Sequence, residues 1–562
     1  MDASTFSLPL RNRGEISPSS SSAPSSSSPS APAKPAPPVR PHPRKGRALH
    51  AASRFQPGDV ILALEPLLLL PSRFLLSSLC SHCFRPGEPR ACSRCRAAYY
   101  CDPACQAAAW KAVHSAECRA LRAGLPDETR RRALPTPVRA LIQALVKPRV
   151  QDGLRDLVGH VHLRREGAEW ENLQLMATGA SAYSGKGTGP EAVQRACELL
   201  SKIEMNAFQR PSNDMGLTGI FLESTLAMVN HSCVPNALVQ FSGRKAFLRA
   251  GQLINAGDEI EIAYTDPLFE RKQALSSYKF ECRCPRCTHD LSVYQVAATY
   301  PDLRLNSSLS LLPDVAAFRE HPAVTDTTKQ SMARRFTRTT GILPSSLKAD
   351  TGPLLQGALQ EQYRAYPSLL MEDLWAVSPL PDTIAAISVY YFNEGKSPLA
   401  LATACFSATA CDPFRYPQPF HPMRLHGLLA VAKLLSVTAP DTAALQESLA
   451  SVAARASLDR QVRDVLNDID QVSLCQMLLL MILAWTPPSY QAQWEVSAEA
   501  LEMLKDINQL QGRERELSLI DEWRRKPDGE QSKAFFDFAV VQKMDALARI
   551  GRAALKADFG TR

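Results

Sequence analysis

The sequence predicts an α+β chain: a small β-rich unit, interrupted by a cysteine-rich zinc module and a helical insert, then a helical C-terminal domain. Three observations lead there. Residues 80–118 hold seven cysteines and His114 in paired spacings. Residues 201–267 alternate short apolar runs with Gly and Asn turns, the pattern of small β structure. From residue 291 onward the chain is rich in helix formers and shows no clean repeat.

The 562 residues are 45% hydrophobic and 21% charged, an ordinary globular composition too long for one core. Residues 1–43 are Ser/Pro/Ala-rich and cannot bury enough apolar surface to offset chain entropy, so they read as a disordered tail or a phosphorylatable arm. Seven of the basic residues fall in 1–48 against Asp2 and Glu15, which accounts for +5 of the net charge of +8. The remaining +3 gives little basis for direct nucleic-acid binding. Met1–Leu10 lacks the pattern of a signal peptide, and the apolar runs Ile61–Leu70 and Cys475–Trp485 are too short to span a bilayer. The fifteen cysteines are therefore expected in a reducing compartment, nucleus or cytoplasm, where clustering favours metal over disulfides.

Taken in order, residues 44–79 form the first β segment, with a turn at Arg54–Asp59 leading into a strand at Val60–Leu64. Residues 80–118 are the zinc module, and 119–200 a helical insert with apolar positions such as Leu141, Ile142, Leu145 and Val146. Strands are expected around 219–221, 238–241, 246–248 and 259–264 within the 201–267 core. A second zinc segment follows at 268–290, then the helical domain 291–562, with stretches such as Pro422–Leu435 and Ser497–Leu510.

The first cluster comprises Cys80, Cys83, Cys92, Cys95, Cys101, Cys105, His114 and Cys118, enough for two tetrahedral zinc sites. Pairs with two residues between them let one turn aim both thiolates at one ion, and His114 and Cys118 lie one helical turn apart. Spacing alone leaves the pairing open. With Tyr99-Tyr100-Cys101, Cys105-Gln106 and Trp110, the segment resembles the MYND zinc finger. The resemblance implies an interleaved arrangement: Cys80, Cys83, Cys101 and Cys105 on one ion, Cys92, Cys95, His114 and Cys118 on the other. It also implies either a proline-rich peptide partner or a structural role.

The second constellation is Asn230-His231-Ser232-Cys233-Val234-Pro235-Asn236, then Gly257–Tyr264, then Phe280–Cys287. That order resembles the SET domain, and with the inserted finger it resembles the SMYD family over residues 44–290. The resemblance implies a protein-lysine N-methyltransferase using S-adenosylmethionine and acting on a histone or non-histone lysine. It implies that Lys45 and Arg47 face the cofactor carboxylate beside the Gly46 turn, where Ala48 replaces a usual second glycine. It further implies that Asn206, Asn230 and His231 hold the cofactor, that Phe280 packs on its adenine, and that Tyr264 is catalytic with Tyr278 lining the lysine channel. Val234 departs from the family's usual Asp. Cys282, Cys284 and Cys287 supply three ligands of a further zinc site, and Cys233 is the natural fourth, which brings the expected ions to three. Cys197, Cys405, Cys411 and Cys475 are left as buried thiols. The expected enzyme is a monomer with a protein substrate and no membrane association. The alternative is a non-catalytic interaction protein in which the SET fold is a scaffold.

Overall fold

The computed structural model describes residues 37–125, 127–164, 167–212, 216–265, 275–300, 309–311, 315–339, 352–488 and 491–560. The first described strand, β1 (Val39–His42), lies inside the stretch expected to be tail and pairs antiparallel with β2 (Gly46–Leu49). The rest of that stretch, 1–36, lies outside the described residues. The β1–β2 turn needs Gly46, whose φ is +78°, a left-handed value that costs a side-chain-bearing residue steric strain. Ala48 is an ordinary buried strand residue opposite Arg40, so no second glycine is required there.

Two three-stranded sheets form the β unit. In one, β3 (Val60–Leu64) lies on the edge beside β11 (Lys245–Ala250), which pairs with β10 (Ala237–Ser242). In the other, β4 (Leu68–Pro71) and β7 (Phe208–Ser212) flank β8 (Gly216–Leu222). Between the sheets sits an apolar core of Leu49, Phe55, Ile61, Phe221, Leu248, Ile260 and Ile262. The finger contributes β5 (Arg90–Ala91) and β6 (Tyr99–Tyr100). The strand expected over 259–264 is shorter, only β12 (Glu261–Ile262). It runs parallel to β9 (Asn230–His231), which places the two motifs side by side.

The helical insert spans more than its expected bounds. The helix Ser115–Gly124 starts within the finger, and the helix Pro190–Asn206 runs past residue 200. Between them, the helix Thr136–Val146 buries Leu141, Ile142 and Leu145 against the finger and against Leu68 and Leu70. The periodic apolar positions read from the sequence are thus the faces that join finger, insert and sheet.

Among the described residues beyond 285 only helices occur. The expected stretches are the helices Pro422–Thr438 and Glu495–Asn508, packed with Gln471–Ala484. By length and apolarity alone Pro422–Arg455 could cross a bilayer. Its Leu425, Val431, Ala432, Leu434 and Leu435 are instead buried in the helical core. Arg249 of β11 joins this unit to the sheet: its guanidinium donates to the carbonyls of Gly58 and Trp485 and lies 5.1 Å from the Phe420 ring. Cys197, Cys405, Cys411 and Cys475 are buried free thiols.

Candidate active site and zinc centres

Among the described residues three groups of soft ligands converge, each with its ligand atoms within 4.8 Å of one another. They are Cys80, Cys83, Cys101 and Cys105; Cys92, Cys95, His114 and Cys118; and Cys233, Cys282, Cys284 and Cys287. Spacing left the first eight unpaired, and the folded chain sorts them into the interleaved sets. A tetrahedral zinc with Zn–S bonds of ~2.3 Å places its sulfurs ~3.8 Å apart. The observed separations fit: Cys83–Cys101 is 3.7 Å, Cys101–Cys105 3.5 Å, Cys233–Cys282 3.9 Å and Cys233–Cys287 3.6 Å. The donor chemistry, four thiolates or three with an imidazole, is that of structural zinc.

One residue of the second centre went unread in the sequence. His114 turns Nε2 toward Cys95 Sγ, at 3.6 Å, and its Nδ1 lies 2.8 Å from Glu117 Oε2. Glu117 Oε1 accepts from Arg139 Nε and Nη2 and from Gln143 Nε2, at 3.2, 2.8 and 3.1 Å. This is the carboxylate–histidine–metal arrangement that fixes a ligand's tautomer. Burial pushes the Glu117 carboxyl up, but Arg139 and the His114 hydrogen bond outweigh it and hold the group at about 2. His114 ends a π-helical turn, Trp110–His114, inserted in the helix that carries the last ligands. The Glu three residues after His114 was the available signal, since i and i+3 share a face.

The second constellation assembles at the β9–β12 junction. His231 is 6% exposed; its Nδ1 accepts from the Tyr264 backbone N at 3.0 Å, and its Nε2 lies 3.2 Å from Cys233 Sγ. The imidazole thus couples the third ligand group to the chain at Tyr264. The Tyr264 hydroxyl donates to the Val229 carbonyl at 2.7 Å. The Tyr264 and Tyr278 rings lie 4.9 Å apart, and Phe280 is 6.2 Å from Tyr264 and 5.9 Å from His231. Burial raises both phenols above their ordinary range, so each stays protonated at neutral pH. Phe280 remains 41% exposed, an aromatic face with room for a planar ligand.

Asn230, Lys45 and Arg47 also meet here. Asn230 Nδ2 donates to the Arg47 carbonyl and to Glu259 Oε1, both at 2.8 Å. Lys45 Nζ is held by Glu259 at 2.9 and 3.0 Å and by Glu261 at 2.6 Å. The physical reason is charge: two carboxylates on the adjoining segment attract the ammonium. Burial opposes its charge, but the bonds to Glu261 and Glu259 prevail and raise its pKa. The Arg47 guanidinium bonds the Asp156 carbonyl. Asn206 donates from Nδ2 to the carbonyls of Val158 and Lys202, both at 2.8 Å. Arg47 and Asn206 therefore reach the same short segment, 156–158, on one flank of the site.

Asn236, the last residue of the Asn-His-Ser motif, had no assigned role. Its Nδ2 donates to the Glu259 carbonyl and its Oδ1 accepts from the Glu261 backbone N, both at 2.8 Å, so it clamps the segment bearing the two acids.

Residues 80–118 match the MYND finger family. The histone-lysine N-methyltransferase ASHR1 of Arabidopsis thaliana is 30% identical over 265 residues, 44% of this chain and 54% of that protein. Histone-lysine N-methyltransferase SMYD3 of Mus musculus is 30% identical over 265 residues, 43% of this chain and 59% of its own length. N-lysine methyltransferase SMYD2-A of Danio rerio is 30% identical over 265 residues, covering 44% and 58%. Over these residues the chain is similar to SMYD and ASHR1 methyltransferases. It spans between half and three-fifths of the length of these relatives. A solved SET domain of LSMT, bound to lysine and AdoHcy, overlaps 65% of this chain and 85% of that one at 15% identity; the TM-score of 0.21 is too low to argue from. In this chain the finger and the β9–β12 junction are separate sites linked by the helical insert.

Proposed function

We propose that this chain is a protein-lysine N-methyltransferase using S-adenosylmethionine, with a histone or another protein as substrate. The observation that carries the reading is the convergence of Tyr264, Tyr278, Phe280, Asn230 and His231 from segments far apart in sequence. The donor set suits the cofactor: an exposed aromatic face for adenine, amide and carbonyl acceptors for an ammonium, and aromatic walls compatible with a sulfonium.

When bound, S-adenosylmethionine supplies an electrophilic methyl group on a sulfonium. The chain's residues position the acceptor. Because the Tyr264 hydrogen is committed to the Val229 carbonyl, its oxygen is left as an acceptor for an N–H of the incoming lysine. That contact turns the amine lone pair toward the methyl donor. Tyr264 and Tyr278 form a partly buried aromatic wall that sheds water and favours the neutral amine. Cys233, Cys282, Cys284 and Cys287 would hold a zinc ion tying the Asn230–His231 segment to the one bearing Tyr278 and Phe280. The eight finger ligands would hold two more. The finger would serve as a docking site for a proline-rich peptide, and the free thiols suit the nucleus or cytoplasm.

The test is methyl incorporation from labelled S-adenosylmethionine into core histones and fractionated cell extract by zinc-loaded protein. Incorporation that disappears in Tyr264→Phe supports the reading. Cofactor binding without labelling of any fraction counts against catalysis.

A further inference from the structure

The donor count around Glu259 goes beyond that reading, while resting on it. Asn230 Nδ2 has two hydrogens, and both are taken, by the Arg47 carbonyl and by Glu259 Oε1. Both partners only accept, so the amide cannot be turned the other way round. Asn230 Oδ1 is the group left to face a ligand. Lys45 has three hydrogens, and three contacts take them: both oxygens of Glu259 and Oε1 of Glu261. An incoming carboxylate therefore finds no vacant donor on Lys45 unless one contact is exchanged.

The two acids are not equivalent. Glu259 holds Lys45 through both oxygens and Asn230 as well, and its side chain is 18% exposed. Glu261 makes a single contact to Lys45, and its side chain is 26% exposed. The Asn236 clamp fixes the backbone beneath both.

We propose that Glu259 is a positioning residue for the methyl donor, orienting Asn230 so that its carbonyl oxygen receives the donor's ammonium, and that Glu261 competes with the donor's carboxylate for Lys45. Removing Glu261 only releases Lys45, whereas removing Glu259 loosens Asn230 and releases Lys45 together, the first effect being the larger; a ligand without the amino-acid group feels neither.

Calorimetric titration with S-adenosylhomocysteine and with 5′-methylthioadenosine, which lacks the amino-acid group, separates these effects. Glu259→Gln is expected to weaken S-adenosylhomocysteine binding about 3- to 10-fold, because a neutral amide holds Asn230 less firmly and the Lys45 contacts it frees offset only part of that loss. Glu261→Gln is expected to tighten it about 3- to 10-fold, the scale of one partly exposed ion pair. Binding of 5′-methylthioadenosine should be unchanged in both. The proposal is overturned if Glu259→Gln binds S-adenosylhomocysteine as the parent does, if both ligands weaken together, or if Glu261→Gln fails to tighten binding. Should Glu259→Gln not fold, the sign of the Glu261→Gln effect decides. A parent protein that binds neither ligand would instead overturn the methyltransferase reading itself.

Discussion

Replacing Glu117 with Gln removes one charge and almost no volume, which isolates the electrostatic role of the carboxylate beside the second zinc centre. The Glu117, His114 and Arg139 side chains are 2%, 2% and 3% exposed, so solvent cannot substitute for the lost partner. Arg139 would keep its charge without its carboxylate partner, and breaking a buried pair in this way costs about 3–5 kcal/mol. The pKa of the carboxyl points the same way. Burial raises it, but Arg139 and the His114 contact hold it well below its ordinary range, the direction a buried ion pair requires. The sign follows from the direction. A carboxylate depressed in the folded state contributes its full stability above pH 4.5 and loses it as pH falls toward 2. The parent should therefore exceed the variant in urea-denaturation midpoint by a constant margin from pH 6 to 8, and the margin should shrink below pH 4.5. With zinc on His114 Nε2, the remaining ring N–H also loses its carboxylate, so metal affinity at this centre should fall about 10- to 100-fold. Cobalt substitution gives a separate readout, because a three-thiolate, one-imidazole centre and the four-thiolate centres absorb differently. Under chelator the mixed centre should empty first in the variant. Equal midpoints together with equal metal release would refute the assigned role of Glu117.

Further outcomes follow from the same geometry. Tyr264→Phe should abolish detectable methyl transfer while leaving S-adenosylhomocysteine binding within a few-fold, because the lost atom is the acceptor facing the substrate amine; calorimetry beside the labelling assay checks this. Cys233→Ser should lower bound zinc by one ion of an expected three, measured by elemental analysis, and weaken cofactor binding, because Cys233 adjoins His231. Gly551→Ala should destabilise the helical domain in thermal melts. A Cβ there would stand 2.2 Å from the Ala402 carbonyl oxygen, which outweighs the ~1 kcal/mol that Ala ordinarily gains over Gly in a helix. Arg249→Met should lower stability by about 3 kcal/mol or more, since carbonyls of Gly58 and Trp485 lose their donor inside the sheet–helix junction.

What the sequence determined by itself was local. Paired cysteines mark metal ligands because a tight turn suffices to aim two thiolates at one ion. The helix Thr136–Val146 was legible from Leu141, Ile142 and Leu145, whose period follows from the helix's own geometry. The motif residues Asn230, His231, Tyr264, Tyr278 and Phe280 were singled out by resemblance, and the structure brings them to one place. What only the tertiary structure decided was partnership across long separations. It sorted the eight finger ligands, whose pairing the spacing left open, into the two sets the resemblance implied, brought the expected Cys233 to Cys282, Cys284 and Cys287, and set Glu117 against Arg139. It also gave Lys45 to Glu259 and Glu261, 214 and 216 residues away. Such pairings depend on the path of the whole chain. Charge and hydrogen-bond valence are then satisfied among whichever groups that path brings within about 3 Å, and no spacing in the sequence encodes that neighbourhood.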